Sequence, residues 1–285
     1  MTLRQLLEWG TEFLKKCQIV DASVDAWYLL EYAFGINRVD YLIHPDVAAD
    51  ETQSQCYRRM IEERAGKKPL QYITGTQNFM GLEFTVNENV LIPRLDTEVL
   101  VETVLSAMPK DASILDMCTG SGCILISLMA LGNAKRGVGV DLSQAALHVA
   151  QTNADRLLDT HLRETHRVDQ TFELIQSDLF ENVHEKFDVI VSNPPYIPTD
   201  EIPGLMEEVG HEPYMALDGH GDGLYFYRKI IEQAGDYLMP EGMLFFEIGW
   251  NQADDVCRML EKNGFGQVHV KKDLAGLDRI VYAVK

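Results

Sequence analysis

Seven short apolar runs, several of them rich in β-branched residues, recur from Ser113 to the end of the chain, and helical segments separate most of them. We predict strands at residues 113–116, 137–140, 172–176, 187–191, 243–248, 268–271 and 279–284. Alternating strands and helices are typical of α/β proteins, in which helices cover both faces of a parallel sheet. Ligands bind such sheets beyond the carboxyl ends of the strands. We therefore expect a functional site in the loops that follow these strands.

The first part of the chain has apolar residues at helical spacing instead. One predicted helix carries Leu3, Leu6, Leu7, Gly10, Phe13 and Leu14, a second carries Val24, Trp27, Leu30 and Phe34 and ends at Gly35, and a third covers residues 53–65. We expect residues 1–68 to form a helical bundle. Such a bundle would either pack against the rest of the protein or recognise a substrate.

A different pattern connects the two parts. The apolar run at 79–86 is followed by the turn signal Asn87-Glu88-Asn89 and a second apolar run at 90–92. This order predicts a β-hairpin within a linker of residues 69–95. Residues 96–285 then form the α/β domain.

The charge of the chain is acidic and unevenly distributed. The formal net charge is −19, and residues 1–68 hold 9 Lys or Arg and 11 Asp or Glu, which leaves 16 basic and 33 acidic residues in the rest. Proteins that bind nucleic acid gain much of their affinity from basic side chains that neutralise phosphates. The larger domain is therefore poorly charged for nucleic-acid binding, and we expect no direct nucleic-acid partner.

Membrane and metal signals are absent from the sequence. No apolar run approaches the roughly 18 residues needed to span a bilayer, and the N-terminus lacks the layout of a signal peptide. The 5 cysteines form no C-x-x-C pair, and the 8 histidines form no H-E-x-x-H pattern. We expect a cytoplasmic protein with no metal and no membrane partner.

A glycine-containing loop follows the first predicted strand, with the sequence Asp116-Met-Cys-Thr-Gly120-Ser-Gly122. Its glycines let the backbone turn tightly and approach a ligand. Asp141 closes the next strand, where a carboxylate can accept hydrogen bonds from ribose hydroxyls. The third glycine of a dinucleotide-binding loop is missing, because position 125 is Leu. The pattern predicts a nucleoside site, with Asp116 suited to a cationic ligand; a purely structural turn is the alternative.

The tetrapeptide Asn193-Pro194-Pro195-Tyr196 follows the fourth predicted strand directly. Two prolines donate no backbone hydrogen bonds, so the carbonyls of a rigid turn stay available. The Asn193 side-chain oxygen and the Pro194 carbonyl can each accept a hydrogen bond from a planar NH₂ group, while the Tyr196 ring offers a stacking face. The alternative is a purely structural role, in which the prolines end the strand and the tyrosine packs.

The loop at 116–122 and the tetrapeptide at 193–196 resemble motifs of known enzyme families. The pattern D-x-x-x-G-x-G with a later acid resembles the cofactor motif of class I S-adenosyl-L-methionine-dependent methyltransferases, and N-P-P-Y resembles the motif of those that modify planar nitrogens. Further segments are similar to the HemK/PrmC family of protein-(glutamine-N5) methyltransferases: PLQYITG at 69–75, LIPRLDTE at 91–98, EPYMAL at 212–217, DGL at 222–224, EIG at 247–249 and DLAGLDR at 273–279. The resemblance implies a Rossmann-like seven-stranded sheet with an N-terminal helical bundle.

The resemblance also implies roles for individual residues. The methionine part of S-adenosyl-L-methionine would be lined by Cys118, Thr119, Gly120, Ser121 and Gly122. Asp141 would bind the ribose, and Asp178 and Leu179 would bind the adenine. A helix cap at Ser177 or Asp178 is an equal alternative for that last segment. The substrate glutamine would be bound by Asn193, Pro194, Pro195 and Tyr196. Of these, Asn193, Pro194 and Tyr196 would be catalytic, and Asn193 would also contact the cofactor. Cys118 departs from the family, which usually has glycine there.

The implied substrate is the glutamine of the Gly-Gly-Gln motif in peptide chain release factors, and the bundle of residues 1–68 would recognise that partner. A glutamine of a ribosomal protein is the alternative protein target. Adenine N6 in nucleic acid also presents a planar NH₂ group, but a base in a duplex must be flipped out and held by a basic surface. A module that binds a nucleoside without catalysis is a further alternative, although it would not need Asn193 and Tyr196.

Overall fold

The computed structural model describes residues 1–132, 134–165 and 170–285. The chain forms two compact units. The first unit comprises Met1–Thr76 together with Met206–His211, and the second comprises Gln77–Leu205 and Glu212–Lys285. The sequence did not indicate that residues 206–211 belong with the N-terminal part.

The first unit is helical. Its helices are α1 (Leu3–Lys16), α2 (Ala22–Phe34), α3 (Arg38–Ile43), α4 (Glu51–Ala65) and α5 (Leu70–Thr74), so the three predicted helices are confirmed and two short ones are added. Thr2 caps α1 through a capping box, and the Asp50 side chain accepts a hydrogen bond from the Gln53 N–H at the start of α4. Gly35 ends α2 in the left-handed conformation, with φ 62°.

The core of this unit is formed by α1, α2 and α4. Residues that are completely buried in it are Leu6, Leu14, Ala26, Leu29, Leu30, Tyr57 and Ile61. One residue of the predicted apolar face is misplaced, because Val24 is 48% exposed. The buried face of α2 runs instead through Ala22, Ala26 and Leu29, and it includes the charged residue Asp25.

Asp25 is part of a buried ion-pair network. Arg64 Nε lies 2.6 Å from Asp25 Oδ2, and Arg64 Nη2 lies 2.6 Å from Glu208 Oε1. The Asp25 and Arg64 side chains are only 9% and 5% exposed. The pair therefore connects α2 to α4, and Arg64 also binds the segment of residues 206–211 within this unit.

We expect Asp25→Ala to lower the free energy of unfolding by about 3 kcal/mol, because it leaves the buried Arg64 guanidinium with one fewer partner. Urea unfolding measures the loss. Asp46→Ala is the matched control, since Asp46 pairs with Arg4 at the surface, with side chains 69% and 48% exposed. An exposed pair contributes at most about 1 kcal/mol. Equal losses in the two variants would contradict the expectation.

A small hairpin of β1 (Thr76–Phe79) and β2 (Leu82–Thr85) comes next in the chain, and apart from Thr76 it belongs to the second unit. The predicted hairpin was wrong in position, because the turn is Met80-Gly81 and residues 90–92 form no strand. Met80 and Gly81 both have positive φ, 52° and 75°, as the turn of a two-residue hairpin loop requires. The Asn87–Asn89 signal does mark a turn, in which the Asn87 side chain accepts from the Asn89 N–H.

A seven-stranded sheet forms the centre of this unit, as predicted. Its strands are β3 (Ser113–Met117), β4 (Arg136–Asp141), β5 (Thr171–Gln176), β6 (Phe187–Ser192), β7 (Leu238–Glu247), β8 (Gly266–Lys272) and β9 (Asp278–Val284). The order is β5-β4-β3-β6-β7-β9-β8. The first five strands in this order are parallel, whereas β9 is antiparallel to both neighbours, β7 and β8.

Helices pack on the sheet to close two apolar layers. They are α6 (Leu95–Ala107), α7 (Cys123–Leu131), α8 (Gln144–Thr165), α10 (Tyr225–Tyr237) and α11 (Ala253–Lys262), while the short helix α9 (Tyr214–Leu217) lies between β6 and α10 in the chain. Side chains alternate across β3, so that Leu115 and Met117 join one layer and Ile114 joins the other. Both faces of the central strands are thereby buried, which explains their continuous apolar sequences.

The strand order places two loops side by side. The chain runs from β3 outward to β4 and β5 and then returns to the other side of β3 with β6. Met117 at the end of β3 is therefore paired with Ser192 at the end of β6. The glycine-containing loop and the Asn193–Tyr196 segment start from these two residues, at the switch point where such sheets bind ligands.

Candidate active site

A cavity lies at the carboxyl ends of β3, β4, β5 and β6. The predicted site residues in its wall are Cys118, Thr119, Gly120, Ser121, Asp141, Asp178, Leu179, Asn193 and Pro195. Three others, Gly122, Pro194 and Tyr196, lie next to wall residues in the chain but do not line the cavity. The topology therefore brings residues that are 75 positions apart, such as Cys118 and Asn193, to one site.

The loop after β3 is shaped by residues with positive φ. Cys118, Gly120 and Gly122 have φ values of 63°, 56° and 79°. Cys118 thus adopts a backbone conformation that favours glycine. Glycine is the usual residue at this position in the family that the sequence resembles. Backbone strain of this kind often accompanies functional sites.

Asp116 lies in β3, directly before the loop. It is completely buried and lies outside the cavity wall, and its Oδ2 accepts a hydrogen bond from Thr119 Oγ1 at 2.6 Å. Burial raises the pKa of this carboxyl to about 7. Asp116 therefore holds the loop through Thr119, and its suitability for a cationic ligand stays a prediction.

The two glycines of the loop have different surroundings. A Cβ atom on Gly122 would lie 2.8 Å from Ile126 Cδ1 and 3.2 Å from Ala150 Cβ, whereas a Cβ on Gly120 would meet nothing within 4 Å. Gly122 permits close packing of the loop against α7 and α8, and Gly120 faces open space in the cavity wall.

We expect Gly122→Ala to lower the free energy of unfolding by about 2–4 kcal/mol, since it adds overpacking to the strain of positive φ. Gly120→Ala should cost only about 1–2 kcal/mol, from the strain alone, but should weaken cofactor binding. Urea unfolding and calorimetric titration of the cofactor separate the two effects. Equal destabilisation by both variants would contradict this assignment.

Asp141 fixes the cavity wall through both carboxylate oxygens. Its Oδ2 accepts from the Gly120 N–H and its Oδ1 from the Ser143 N–H, both at 2.9 Å. Burial raises the pKa of this carboxyl. Each carboxylate oxygen can accept more than one hydrogen bond, so Asp141 can hold the loop and still bind a ligand hydroxyl.

The segment after β5 lines the next part of the wall. Leu179 is 9% exposed and has a φ of 49°, while Asp178 is exposed. The Ser177 hydroxyl accepts from the Asn182 N–H at 2.9 Å, so Ser177 does cap a turn. The predicted helix cap is wrong, because no helix begins here and residues 179–182 form a turn. Asp178 and Leu179 line the cavity.

The segment after β6 is held by side chains from distant parts of the chain. Asn193 Nδ2 donates to Thr97 Oγ1 at 3.4 Å, and the Tyr196 carbonyl accepts from Gln252 Nε2 at 3.0 Å. Gln252 Oε1 also accepts from the Gly249 N–H. The Tyr196 side chain packs against the core, and burial raises the pKa of its hydroxyl.

Two cavity segments carried no assigned role in the sequence analysis. They supply Leu91, Pro93, Arg94 and Thr97 on one side and Pro213, Met215 and Ala216 on the other. Arg94 forms an ion pair with the buried Glu212, which ties the two segments together. Their sequences, LIPRLDTE and EPYMAL, resemble the family, and that resemblance was the only signal that marked them.

The residues of the cavity wall suit S-adenosyl-L-methionine, the cofactor that the resemblance implies. The Asp141 carboxylate can bind ligand hydroxyls, and the Leu179 side chain forms an apolar surface. Gly120 carries no side chain that would fill the cavity. Among the described residues, no helix is long and apolar enough to cross a membrane.

Comparisons with known proteins agree with this architecture. The family model of the PrmC N-terminal domain matches residues 5–75, and that of the methyltransferase small domain matches residues 94–222. A crystal structure of a methyltransferase from Pyrococcus furiosus is similar in fold, with a TM-score of 0.52 and 19% identity over 73% of this chain and 90% of that one.

Several relatives match over nearly the whole chain, among them two bacterial proteins. The release factor glutamine methyltransferase of Geobacter sulfurreducens is 40% identical over 98% of this chain and 95% of its own length. The protein of the same name from Clostridium botulinum is 39% identical over the full length of both chains. With both domains matched in order and the cavity at the expected strand ends, the chain belongs to the release factor glutamine methyltransferase family.

Proposed function

We propose that this protein transfers a methyl group from S-adenosyl-L-methionine to the side-chain amide nitrogen, N5, of the glutamine in the Gly-Gly-Gln motif of release factors. The observation that carries the proposal is the position of Asn193, in the wall of the same cavity as the glycine-containing loop and Asp141. The names of the full-length relatives support release factors as the substrate. The reaction would tune translation termination in the cytoplasm.

The cofactor would lie along the carboxyl ends of β3, β4 and β5. Cys118, Thr119, Gly120 and Ser121 would contact its methionine part, and Gly122 would let the loop pack closely enough to do so. Asp141 would accept hydrogen bonds from the ribose hydroxyls. Asp178 would accept from the exocyclic amine of the adenine, against which Leu179 would pack. When bound, the cofactor supplies an electrophilic methyl group on a cationic sulfur.

The chain would make a poor nucleophile reactive by positioning it. The lone pair of an amide nitrogen is delocalised into its carbonyl, so the substrate must be held with that lone pair aimed at the methyl carbon. Asn193 Oδ1 and the Pro194 carbonyl would each accept one N–H of the glutamine amide. The rate gain would come largely from this near-attack arrangement.

Pro195 and Tyr196 would complete the substrate site. Pro195 lines the cavity and keeps the turn rigid. Tyr196 is held through its carbonyl by Gln252. It does not line the cavity, but its side chain is only partly buried, and the exposed part of the ring would meet the planar amide of a bound substrate. After transfer the nitrogen is acidic, and its proton can pass to the acceptors or to water.

Methyl transfer to candidate substrates tests this proposal. With a labelled methyl group on the cofactor, we expect label in a purified bacterial release factor and none in a release factor whose Gly-Gly-Gln glutamine is replaced by alanine. A ribosomal protein and adenine-containing DNA and RNA serve as competing substrates. Label in one of those, with none in the release factor, would overturn the proposal.

The first unit would dock the release factor, because one glutamine side chain offers little surface for selection. We expect a protein that lacks residues 1–68 to show a KM for the full release factor at least about tenfold higher, in line with the loss of an interaction worth 1.4 kcal/mol or more. Its KM for a short Gly-Gly-Gln peptide should stay unchanged, which controls for damage to the cavity. An unchanged KM for the full release factor would contradict this role.

A further inference from the structure

Glu247 is a buried carboxylate next to Asn193. Ser192 at the end of β6 is paired with Phe246 of β7 in parallel register, so the next positions along the two strands are Asn193 and Glu247. Glu247 is 2% exposed, and within the described part of the chain its Oε2 atom has no hydrogen-bond partner. A buried charged group without full pairing is costly and calls for a functional explanation.

The other contacts of this carboxylate lead to the candidate active site. The Thr97 hydroxyl and the Asn193 side chain both lie close enough to act as donors that stabilise its charged form. Thr97 is itself buried and lines the cavity, and its Oγ1 also accepts from Asn193 Nδ2. Glu247 and Thr97 thus form a pair of acceptors around one end of the Asn193 carboxamide.

A structural ion pair does not explain Glu247. The nearest cation is Arg279, whose guanidinium is bound to Asp273 at 3.0 Å and to the Ile248 carbonyl at 3.2 Å, with Asp96 at 3.7 Å. Other titratable groups that face Glu247 are Tyr196, Tyr227 and Cys123. None of them offsets its charge.

The orientation of Asn193 matters for the proposed reaction. A carboxamide has an acceptor end and a donor end, and only the oxygen can bind the NH₂ group of a substrate. If the carboxamide turned by 180°, its NH₂ would meet the substrate NH₂, and no hydrogen bond could form. Acceptors on the nitrogen side of Asn193 prevent that turn.

We propose that Glu247 is a positioning residue that, together with Thr97, holds the Asn193 carboxamide with its oxygen toward the substrate. The inference rests on the proposed function, since the acceptor end is needed only for an NH₂ substrate. Burial raises the pKa of Glu247 to about 7, so the carboxylate accepts above that pH and is protonated below it.

Kinetics of two Glu247 variants provide the first test. Glu247→Leu removes the acceptor at similar volume, and we expect kcat to fall by roughly 10²-fold, with KM and the cofactor Kd within about threefold of their original values. Its urea unfolding midpoint should be unchanged or raised, because a partly unpaired buried charge is replaced by an apolar side chain. Unchanged kcat, or a fall in kcat with a matching loss of stability, would overturn the proposal.

Nuclear magnetic resonance of the Asn193 side-chain NH₂ group provides a second test that needs no turnover. Its signal can be assigned by its loss in Asn193→Asp. We expect its shift to titrate with a midpoint near pH 7 in the original protein and to stop titrating in Glu247→Gln, which keeps the shape of the side chain. The same titration in Glu247→Gln would overturn the proposal. Absence of methyl transfer by the unsubstituted protein would count against the proposed function instead.

Discussion

Asn193→Ala is expected to lower kcat by roughly 10²-fold or more while leaving the Kd for S-adenosyl-L-methionine within about threefold. The substitution removes the acceptor that aims the substrate nitrogen, and small errors in aim have large effects on rate. The glycine-containing loop and Asp141 stay in place, because their hydrogen bonds do not involve Asn193. Steady-state kinetics and calorimetric titration measure the two quantities.

Asn263→Ala is the matched control for this variant. Asn263 is an exposed asparagine at the end of α11, where its side chain donates to the Met259 carbonyl. It should leave both kcat and cofactor affinity unchanged. If Asn193→Ala kept normal turnover, the protein would not use this residue in catalysis, and a binding module would become the better interpretation.

Asp141→Ala is expected to raise the Kd for S-adenosyl-L-methionine by about 10²-fold. Hydrogen bonds to a charged group contribute about 1.5–3 kcal/mol each, and each 1.4 kcal/mol corresponds to a tenfold change in Kd. The variant also frees the Gly120 N–H and so loosens the loop. Asp141→Asn should have a smaller effect, because one acceptor oxygen remains.

The control for Asp141 is Asp155→Ala. Asp155 is exposed on α8, and it accepts a hydrogen bond from Gln151 one helical turn earlier. Its loss should leave the cofactor Kd unchanged. An equally small effect of Asp141→Ala would show that the ribose is not bound by this carboxylate.

Strands and helices were predicted well where a periodic signal determined them. The central strands are buried on both faces, so their apolar runs are visible in the sequence. The hairpin was misplaced because Met80 occupies a turn position with positive φ, which methionine rarely adopts. The turn signal at Asn87–Asn89 is stronger than that at Met80-Gly81, but it marks a different turn, which follows the hairpin.

Long-range contacts account for what the sequence did not show. Residues 206–211 join the first unit, where Glu208 binds Arg64 at a separation of 144 positions. Thr97, Gln252 and Glu247 support Asn193 and Tyr196 from other elements, and no local motif gives any of them that role. The glycine-containing loop and Asn193, in contrast, could be predicted to lie at one edge of the sheet because each follows a strand directly.

The proposed methyl transfer is tested most directly by the mass of a purified release factor after incubation with this protein and S-adenosyl-L-methionine, followed by fragmentation of the Gly-Gly-Gln peptide. Parallel samples contain the Asn193→Ala variant or a release factor without that glutamine. We expect one added methyl group, located on the glutamine, and none in either parallel sample. No added methyl despite measured cofactor binding, or a methyl on another residue, would contradict the proposed reaction.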